Sequence, residues 1–175
     1  MSTQIHNFHE RNAWSLEAKQ EAFWEAIYQK AFPSLVKCEP ITDRALQLMG
    51  VDRLLTLANG ITLTVDEKAR QRFYSNDILI EYLREGEYNA PGWIEKDLTI
   101  DYLAVGYVPS RRCYLFDWRM LRRAWLRYKS DWMLKYEHKP ALNNNGRYTT
   151  WSLIIPTAEL QRAVTTASVI EVDQF

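Results

Sequence analysis

Cysteine, long apolar runs and net charge are what this sequence has least of, and each scarcity excludes a class of protein. Two cysteines, Cys38 and Cys113, are too few for a disulfide framework or a zinc site, and they suit a reducing compartment. No apolar run approaches the roughly 20 residues that cross a bilayer. The first residues, MSTQIHNFHER, contain no apolar secretory core. We therefore expect a cytoplasmic protein with no membrane partner.

The sequence also lacks the signatures of several enzyme classes. It contains no internal repeat, no glycine-rich phosphate loop and no nucleophile elbow. Aromatic residues are plentiful instead, with seven tryptophans and ten tyrosines among 175 residues. Hydrophobic residues make up 47% of the chain and charged residues 25%, which is typical of a globular chain long enough to bury a core.

Charge is balanced overall but unevenly distributed. The 22 basic and 22 acidic residues cancel, whereas residues 111–139 hold nine basic and three acidic residues, a net charge of +6. The rest of the chain is correspondingly acidic. This combination favours an enzyme that acts on a polyanion, because a basic region can hold phosphates while an acidic site holds a metal ion.

The most informative stretch spans residues 50–70. In residues 61–68 apolar and polar side chains alternate, a period of two that predicts a strand with one polar face. The pair Asn59-Gly60 separates this strand from the earlier apolar run 51–57, and Asn-Gly is a strong hairpin signal. The two runs are therefore expected to pair antiparallel.

The length of the hairpin loop decides what faces Asp52. A two-residue loop (59–60) places Asp52 opposite Glu67. A three-residue loop (58–60) puts the glycine in the left-handed position of a bulge and places Asp52 opposite Asp66. We favour the longer loop because it gathers both aspartates and the following lysine on one face. Two close carboxylates need a positive partner, which a divalent ion and a lysine supply.

An aspartate at the start of one strand, followed by Asp-x-Lys on the next, resembles the PD-(D/E)XK nuclease superfamily. The residues that carry the resemblance are Asp52 and Asp66-Glu67-Lys68. The resemblance implies that Asp52 and Asp66 bind Mg²⁺ or Mn²⁺ and that Lys68 positions or activates the attacking water. Gly50-Val51 stands before Asp52 where the family has proline, and Glu67 leaves the identity of the second acid open. Glu67 is therefore kept among the catalytic candidates.

Residues near this motif are auxiliary candidates. Asp43 and Gln47, spaced i, i+4 just before the hairpin, could orient the acids or a water, or could equally serve as a cap and a surface residue. The resemblance also allows one glutamate of the first helix to join the metal site, although a solvated charged stripe is the better interpretation of that spacing. These glutamates are Glu17, Glu21 and Glu25.

Four arginines are candidates for nucleic-acid binding. Arg70 lies at the end of the polar strand. Arg119, Arg123 and Arg127 recur at i, i+4 in the basic segment, which predicts a cationic face on a helix opposite a buried aromatic seam. Such a face can bind phosphates or can simply be solvated, and the sequence leaves both open.

The order of the predicted elements indicates a single α/β domain with a mixed sheet flanked by helices. It is compatible with the restriction-endonuclease-like αβββαβ core, with an inserted hairpin. We divide the chain into an N-terminal arm (1–13), a nuclease-like domain (14–165) and a frayed C-terminal tail (166–175). The predicted elements are a helix from Ser15 to before Pro33, a linker 33–40, strands 51–57 and 61–68, a third strand 77–83, a hairpin of strands 100–108 and 112–116, a helix 118–135 capped by Asp117, a polar loop 138–146, a strand 147–155 and a helix 157–164.

These expectations lead to a first hypothesis, a metal-dependent nuclease that hydrolyses phosphodiester bonds of DNA. The alternative is a catalytically inert module that keeps the nuclease scaffold and binds a protein or nucleic-acid partner. A third interpretation treats the two aspartates and the lysine as a surface salt-bridge ladder, which contributes little to stability. The sequence is also compatible with a homodimer.

Overall fold

The computed structural model describes residues 18–70, 76–143 and 146–174. They form a mixed α/β protein, as the sequence predicts. In chain order its elements are α1 (Ala18–Ala31), β1 (Leu35–Pro40), α2 (Arg44–Leu48), β2 (Arg53–Leu57), β3 (Thr62–Arg70), β4 (Asp77–Gly86), β5 (Ala90–Pro91), β6 (Tyr102–Tyr107), β7 (Arg112–Asp117), α3 (Trp118–Lys135), β8 (His138–Asn143), β9 (Tyr148–Pro156), α4 (Thr157–Ala163) and β10 (Ser168–Glu171). The predicted N-terminal arm, the helix start at Ser15 and the glutamate Glu17 lie outside the described residues.

The chain divides into two compact units, and each contains one sheet. One unit comprises residues 18–70, 98–121 and 164–174 of the described chain. Its six-stranded sheet has the order β1-β2-β3-β6-β7-β10, in which β6 runs parallel to β3 and every other pairing is antiparallel. We call this unit the hairpin unit because it contains the β2–β3 hairpin.

The second unit comprises residues 76–97, 122–143 and 146–163 of the described chain. Its four-stranded antiparallel sheet has the order β5-β4-β9-β8. Ile78 and Ile80 of β4 and Leu153 and Ile155 of β9 are buried at a spacing of two, as expected for strands with one apolar face.

Helix α1 covers one face of the six-stranded sheet. Phe23, Trp24, Ile27 and Tyr28 are almost completely buried and recur at the spacing of one helical face, which confirms the predicted amphipathic helix. Helix α3 also follows its prediction. Asp117 caps it by accepting a hydrogen bond from the Met120 N–H over 2.9 Å.

Strand β1 occupies the segment that the sequence indicated as a linker, so this prediction is wrong. Leu35 is buried, but Val36 and Lys37 are exposed and prolines flank the segment. A short strand with exposed side chains between two prolines carries no alternating signal. It is still paired with β2, because a strand at a sheet edge needs only one partner and tolerates a terminal proline.

The third predicted strand, 77–83, exists but does not extend the hairpin sheet. It forms β4, whose neighbours are β5 and β9. The predicted inserted hairpin instead forms β6 and β7 of the six-stranded sheet, with β6 beside β3. An apolar run identifies a buried strand but not its partner, because pairing between distant segments leaves no local pattern.

Two segments predicted to be irregular are strands. The predicted polar loop 138–146 contains β8, an edge strand with Pro140 in its middle. The predicted frayed tail contains β10, which pairs with β7 and buries Ile170. Lys30 of α1 donates a 2.6 Å hydrogen bond to the Glu171 carbonyl at the end of this strand. The C-terminal segment is therefore part of the hairpin unit.

Candidate active site

The hairpin between β2 and β3 has the three-residue loop that the sequence favoured. The Leu57 N–H donates to the Ile61 carbonyl over 2.8 Å, which leaves residues 58–60 as the loop. Gly60 has a φ of 83°, the left-handed conformation that glycine adopts without strain. Arg53 pairs with Val65, so one step further along the ladder Asp52 faces Asp66. The predicted register is confirmed.

This register brings Asp52, Asp66 and Lys68 together on one face of the sheet. The Lys68 ammonium forms an ion pair with Asp66 Oδ1. Asp52 Oδ2 accepts a 2.8 Å hydrogen bond from the Glu67 N–H. Only 3% of the Asp66 side chain is exposed. Asp52 and Lys68 are of intermediate exposure, so the group is a partly buried cluster with Asp66 as its deepest member and not a fully exposed ladder.

The surroundings of Asp52 perturb its carboxyl group strongly. Burial, reinforced by the negative charge of Asp66, raises the pKa of Asp52 to about 7, although the Lys68 ammonium opposes the change. Near neutral pH the pair therefore holds a proton about half of the time. A carboxyl group whose pKa is raised this far by burial and by a specific charged neighbour is a candidate for a functional role.

The raised pKa predicts how Asp52 affects stability. An unfolded aspartate titrates near pH 3.9, so the contribution of neutral Asp52 is complete below about pH 4 and is lost as pH rises through its folded value of about 7. Asp52→Asn cannot ionise and keeps an oxygen for the Glu67 N–H. Without divalent ions at pH 8, the free energy of unfolding of this variant, measured by urea titration, should exceed that of wild type by on the order of 2 kcal/mol.

At pH 4.5 the Asp52→Asn variant and the wild type should have similar stability, because Asp52 is then neutral in the folded protein. Asp131→Asn, at an exposed position on α3, is the control and should change stability equally at both pH values. If Asp52→Asn changed the free energy of unfolding by the same amount at pH 4.5 and pH 8, the raised pKa of Asp52 would be contradicted.

Glu67, the other candidate for the second acid, lies on the opposite face. Its carboxylate accepts hydrogen bonds from Arg53 Nε over 2.5 Å and from the Tyr28 hydroxyl over 2.9 Å. Arg53 also binds Glu21 of α1 through two hydrogen bonds, of 2.6 and 2.8 Å. Glu67 therefore contributes its backbone N–H to the Asp52 carboxylate, while its side chain belongs to a buried ionic cluster beneath α1.

The charges of this cluster are set by the depth of each group. Burial raises the pKa of Glu67 despite the adjacent Arg53, whereas the hydrogen bonds from Arg53 lower the pKa of the more exposed Glu21. Burial alone would lower the pKa of Arg53, but Glu21 and Glu67 together raise it. Arg53 was not identified from the sequence. The only signal was an arginine within an apolar strand. Because Arg53 directly follows Asp52, its side chain is expected on the opposite face of the strand.

The first-helix glutamates do not reach the Asp52–Asp66 face. Glu21 is held by Arg53 on the opposite face of the sheet. Glu25 is exposed on α1. Neither is placed to join Asp52 and Asp66, and the interpretation of these residues as metal ligands is wrong for both.

Asp43 and Gln47 have local structural roles in place of the auxiliary roles considered for them. Asp43 is the N-cap of α2 and accepts hydrogen bonds from Ala45 N over 2.7 Å and Leu46 N over 3.3 Å. Gln47 donates a 2.8 Å hydrogen bond to the Ile41 carbonyl. These contacts correspond to the capping alternative, so neither side chain orients the acids.

The four candidate arginines lie on two elements. Arg70 ends β3 and, by the period of two, shares the face of Asp66 and Lys68. The helix residues Arg119, Arg123 and Arg127 are all exposed on α3. Arg119 belongs to the hairpin unit, and the other two belong to the second unit. The predicted cationic face on the helix therefore exists.

The donor set of the site suits magnesium better than zinc or calcium. Within residues 18–70, 76–143 and 146–174, no group of three or more His, Cys, Asp or Glu side chains is placed to hold a metal ion. Two carboxylates are enough for Mg²⁺, which keeps several waters and takes one or two carboxylates together with substrate phosphates. The mutual repulsion of Asp52 and Asp66 is also what a divalent ion would relieve. The residues therefore fit a Mg²⁺ or Mn²⁺ site.

Comparison with protein-family models, with curated proteins and with solved structures gives no match for this chain. In the part of the chain that the structure describes, no helix is both long and apolar enough to cross a membrane. The chemistry of the site is therefore inferred from Asp52, Asp66 and Lys68 and from the residues that contact them.

Proposed function

We propose that the protein is a metal-dependent nuclease that hydrolyses phosphodiester bonds of DNA. The observation that carries this proposal is the convergence of Asp52, Asp66 and Lys68 on one face, with the pKa of Asp52 raised to about 7 by burial and by Asp66. Two partly uncompensated carboxylates attract a divalent cation, and a neighbouring ammonium can hold an anionic group. Metal-dependent phosphodiester hydrolysis can use both features.

Each of the three side chains has a separate role in the proposed reaction. Asp52 and Asp66 would hold Mg²⁺ or Mn²⁺, with Asp52 fixed by the Glu67 N–H. A bound divalent ion supplies a Lewis acid and lowers the pKa of a coordinated water. Lys68, held by Asp66, orients the attacking water and stabilises the negative charge that develops on the phosphate. Asp66 therefore also positions the lysine.

The architecture of the hairpin unit supports the resemblance to the nuclease superfamily. Helix α1 is followed by the three antiparallel strands β1, β2 and β3, with the short helix α2 between β1 and β2, and β6 lies parallel to β3. The proposed acids sit at the start of β2 and within β3, as in the family motif. The departure lies between β3 and β6, where the αβββαβ core has a helix and this chain has β4 and β5.

Phosphate binding is assigned to the exposed arginines. Arg119, Arg123 and Arg127 project from α3 within the segment of net charge +6, and Arg70 shares the face of Lys68. Contacts of this kind are made to the DNA backbone and position it without reading sequence.

The experiment that tests the proposal is direct. Supercoiled plasmid, linear duplex and single-stranded DNA are incubated with the protein in Mg²⁺, Mn²⁺ or EDTA. We expect cleavage with either metal, no cleavage in EDTA, and loss of cleavage in Asp66→Ala, because that variant removes a metal ligand and the partner of Lys68. Absence of metal-dependent cleavage on all three substrates would instead favour the inert binding module.

A further inference from the structure

Helix α2, which precedes Asp52, exposes a cluster of apolar side chains. The exposed fractions of Leu46, Leu48 and Met49 are 37%, 74% and 46%, and none of the residues of α2 is buried. The other large exposed apolar residues among those described are at least eight positions from one another and from this cluster. Single exposed apolar side chains are ordinary, but a contiguous group indicates a binding surface.

Specific hydrogen bonds cap both ends of α2, so its backbone has a defined conformation. Asp43 caps the N-terminus. At the C-terminus the Gly50 N–H donates to the Gln47 carbonyl and the Val51 N–H to the Leu46 carbonyl, each over 3.0 Å. With Gly50 at a φ of 88°, this is the Schellman arrangement. It connects α2 to β2 through Gly50 and Val51, so that Met49 at the end of α2 is three residues from Asp52 along the chain.

The same helix provides a positive charge next to the apolar cluster. Residues 41–51 contain two ionisable side chains, Asp43 and Arg44. The Asp43 carboxylate is directed at the backbone N–H groups of Ala45 and Leu46, and Arg44, which is exposed, is the one cation among residues 41–51. Arg44 and Leu48 are four residues apart and therefore share one face of the helix. A cation beside an apolar side chain is complementary to a nucleotide, which has an anionic phosphate and a flat base with apolar faces.

We propose that Arg44, Leu48 and Met49, together called the α2 tip, bind an unpaired nucleotide next to the scissile phosphate. The substrate is then DNA that contains unstacked bases, such as a bubble, a flap or a single strand. This inference rests on the proposed nuclease function. Leucine and methionine side chains can insert against bases in nucleic-acid complexes. The insertion costs the least free energy where the base is already unpaired.

The test uses oligonucleotides of one sequence as a single strand, a fully paired duplex and a duplex with an unpaired bubble. Wild type should cleave the bubble and the single strand about tenfold faster than the duplex, because an unpaired base can contact the α2 tip without first being unstacked. The variant Leu48→Ser/Met49→Ser should lose this preference, so that its cleavage rates on the three substrates agree within about twofold. Arg44→Gln should weaken binding to all three substrates and reduce its salt dependence.

Leu134→Ser is the matched control, because Leu134 of α3 is 90% exposed and lies on a different element. It should leave the preference intact. Retention of the preference in the Leu48→Ser/Met49→Ser variant would overturn the inference. A difference in oligomeric state between wild type and the Leu48→Ser/Met49→Ser variant, measured by size-exclusion chromatography, would also overturn the inference. It would show that the α2 tip binds a second copy of the chain.

Binding separates this inference from the proposed function. Fluorescence anisotropy with Ca²⁺ in place of Mg²⁺ measures affinity for the same oligonucleotides without requiring cleavage. If wild type cleaves none of them but binds the bubble more tightly than the duplex, and Leu48→Ser/Met49→Ser loses that preference while Leu134→Ser keeps it, the nuclease proposal fails and the α2-tip proposal stands. If wild type cleaves all three substrates equally, the α2-tip proposal fails and the nuclease proposal stands.

Discussion

Replacing Lys68 with alanine should lower metal-dependent DNA cleavage by about 100-fold or more, because it removes an ammonium aligned with the charge of the transition state. Lys68 also opposes the raised pKa of Asp52. In Lys68→Ala that pKa should therefore rise, and any residual activity should increase toward higher pH. Removing a cation should leave Mn²⁺ affinity equal or higher, whereas Asp66→Ala should weaken it. Cleavage assays and Mn²⁺ titration calorimetry measure the two effects separately.

The chain offers a close control for this variant. Lys37 also pairs with an acid two positions away on a strand, at 2.7 Å from Glu39, but its side chain is 62% exposed. Lys37→Ala should cleave DNA at the wild-type rate, since exposed pairs of this kind contribute little. Cleavage by Lys68→Ala within threefold of wild type would contradict the role of the lysine. So would tight Mn²⁺ binding by Asp66→Ala, because the metal would then lie elsewhere.

The hairpin of the candidate site was predictable because all of its determinants are local. Alternation in residues 61–68 identified the strand, and Asn59-Gly60 identified the turn. The requirement that two carboxylates share a positive partner then selected the loop length, which the Leu57–Ile61 hydrogen bond confirms. A one-residue change of register would have moved every side chain of one strand to the other face.

The surroundings of the hairpin were not predictable, because they depend on distant segments. The neighbour of β3 is β6, which is separated from it by the strands β4 and β5. The role of Glu67 could not be assigned either. Its side chain points to the face that α1 covers, and only the fold reveals that Arg53 and Tyr28 lie there. The periodicity of β3 separates Glu67 from Asp66 but does not say which face is buried beneath a helix.

Replacing Arg53 with methionine should destabilise the protein by about 3–5 kcal/mol, the usual cost of removing one partner from a buried ion pair. Arg53 is buried, with 2% of its side chain exposed, and it binds both Glu21 and Glu67. Without it, Glu67 would lie beneath α1 with the Tyr28 hydroxyl and no cation. The pKa of Glu67, already raised by burial, should rise further because the opposing effect of Arg53 is lost. Urea unfolding at several pH values measures both consequences.

The pH dependence of this loss distinguishes an uncompensated charge from a simple loss of packing. A glutamate whose folded pKa is raised contributes stability below its unfolded value near pH 4.3, and that stability is lost as pH rises through the folded value. Arg53→Met should therefore lose more stability at pH 8 than at pH 5. In Arg53→Met/Glu67→Gln the loss should be smaller and nearly independent of pH. Arg162→Met, which removes an exposed pair with Glu159, should cost less than about 1 kcal/mol. An equal loss for Arg53→Met at pH 5 and pH 8 would show that Glu67 does not carry the charge that Arg53 compensates.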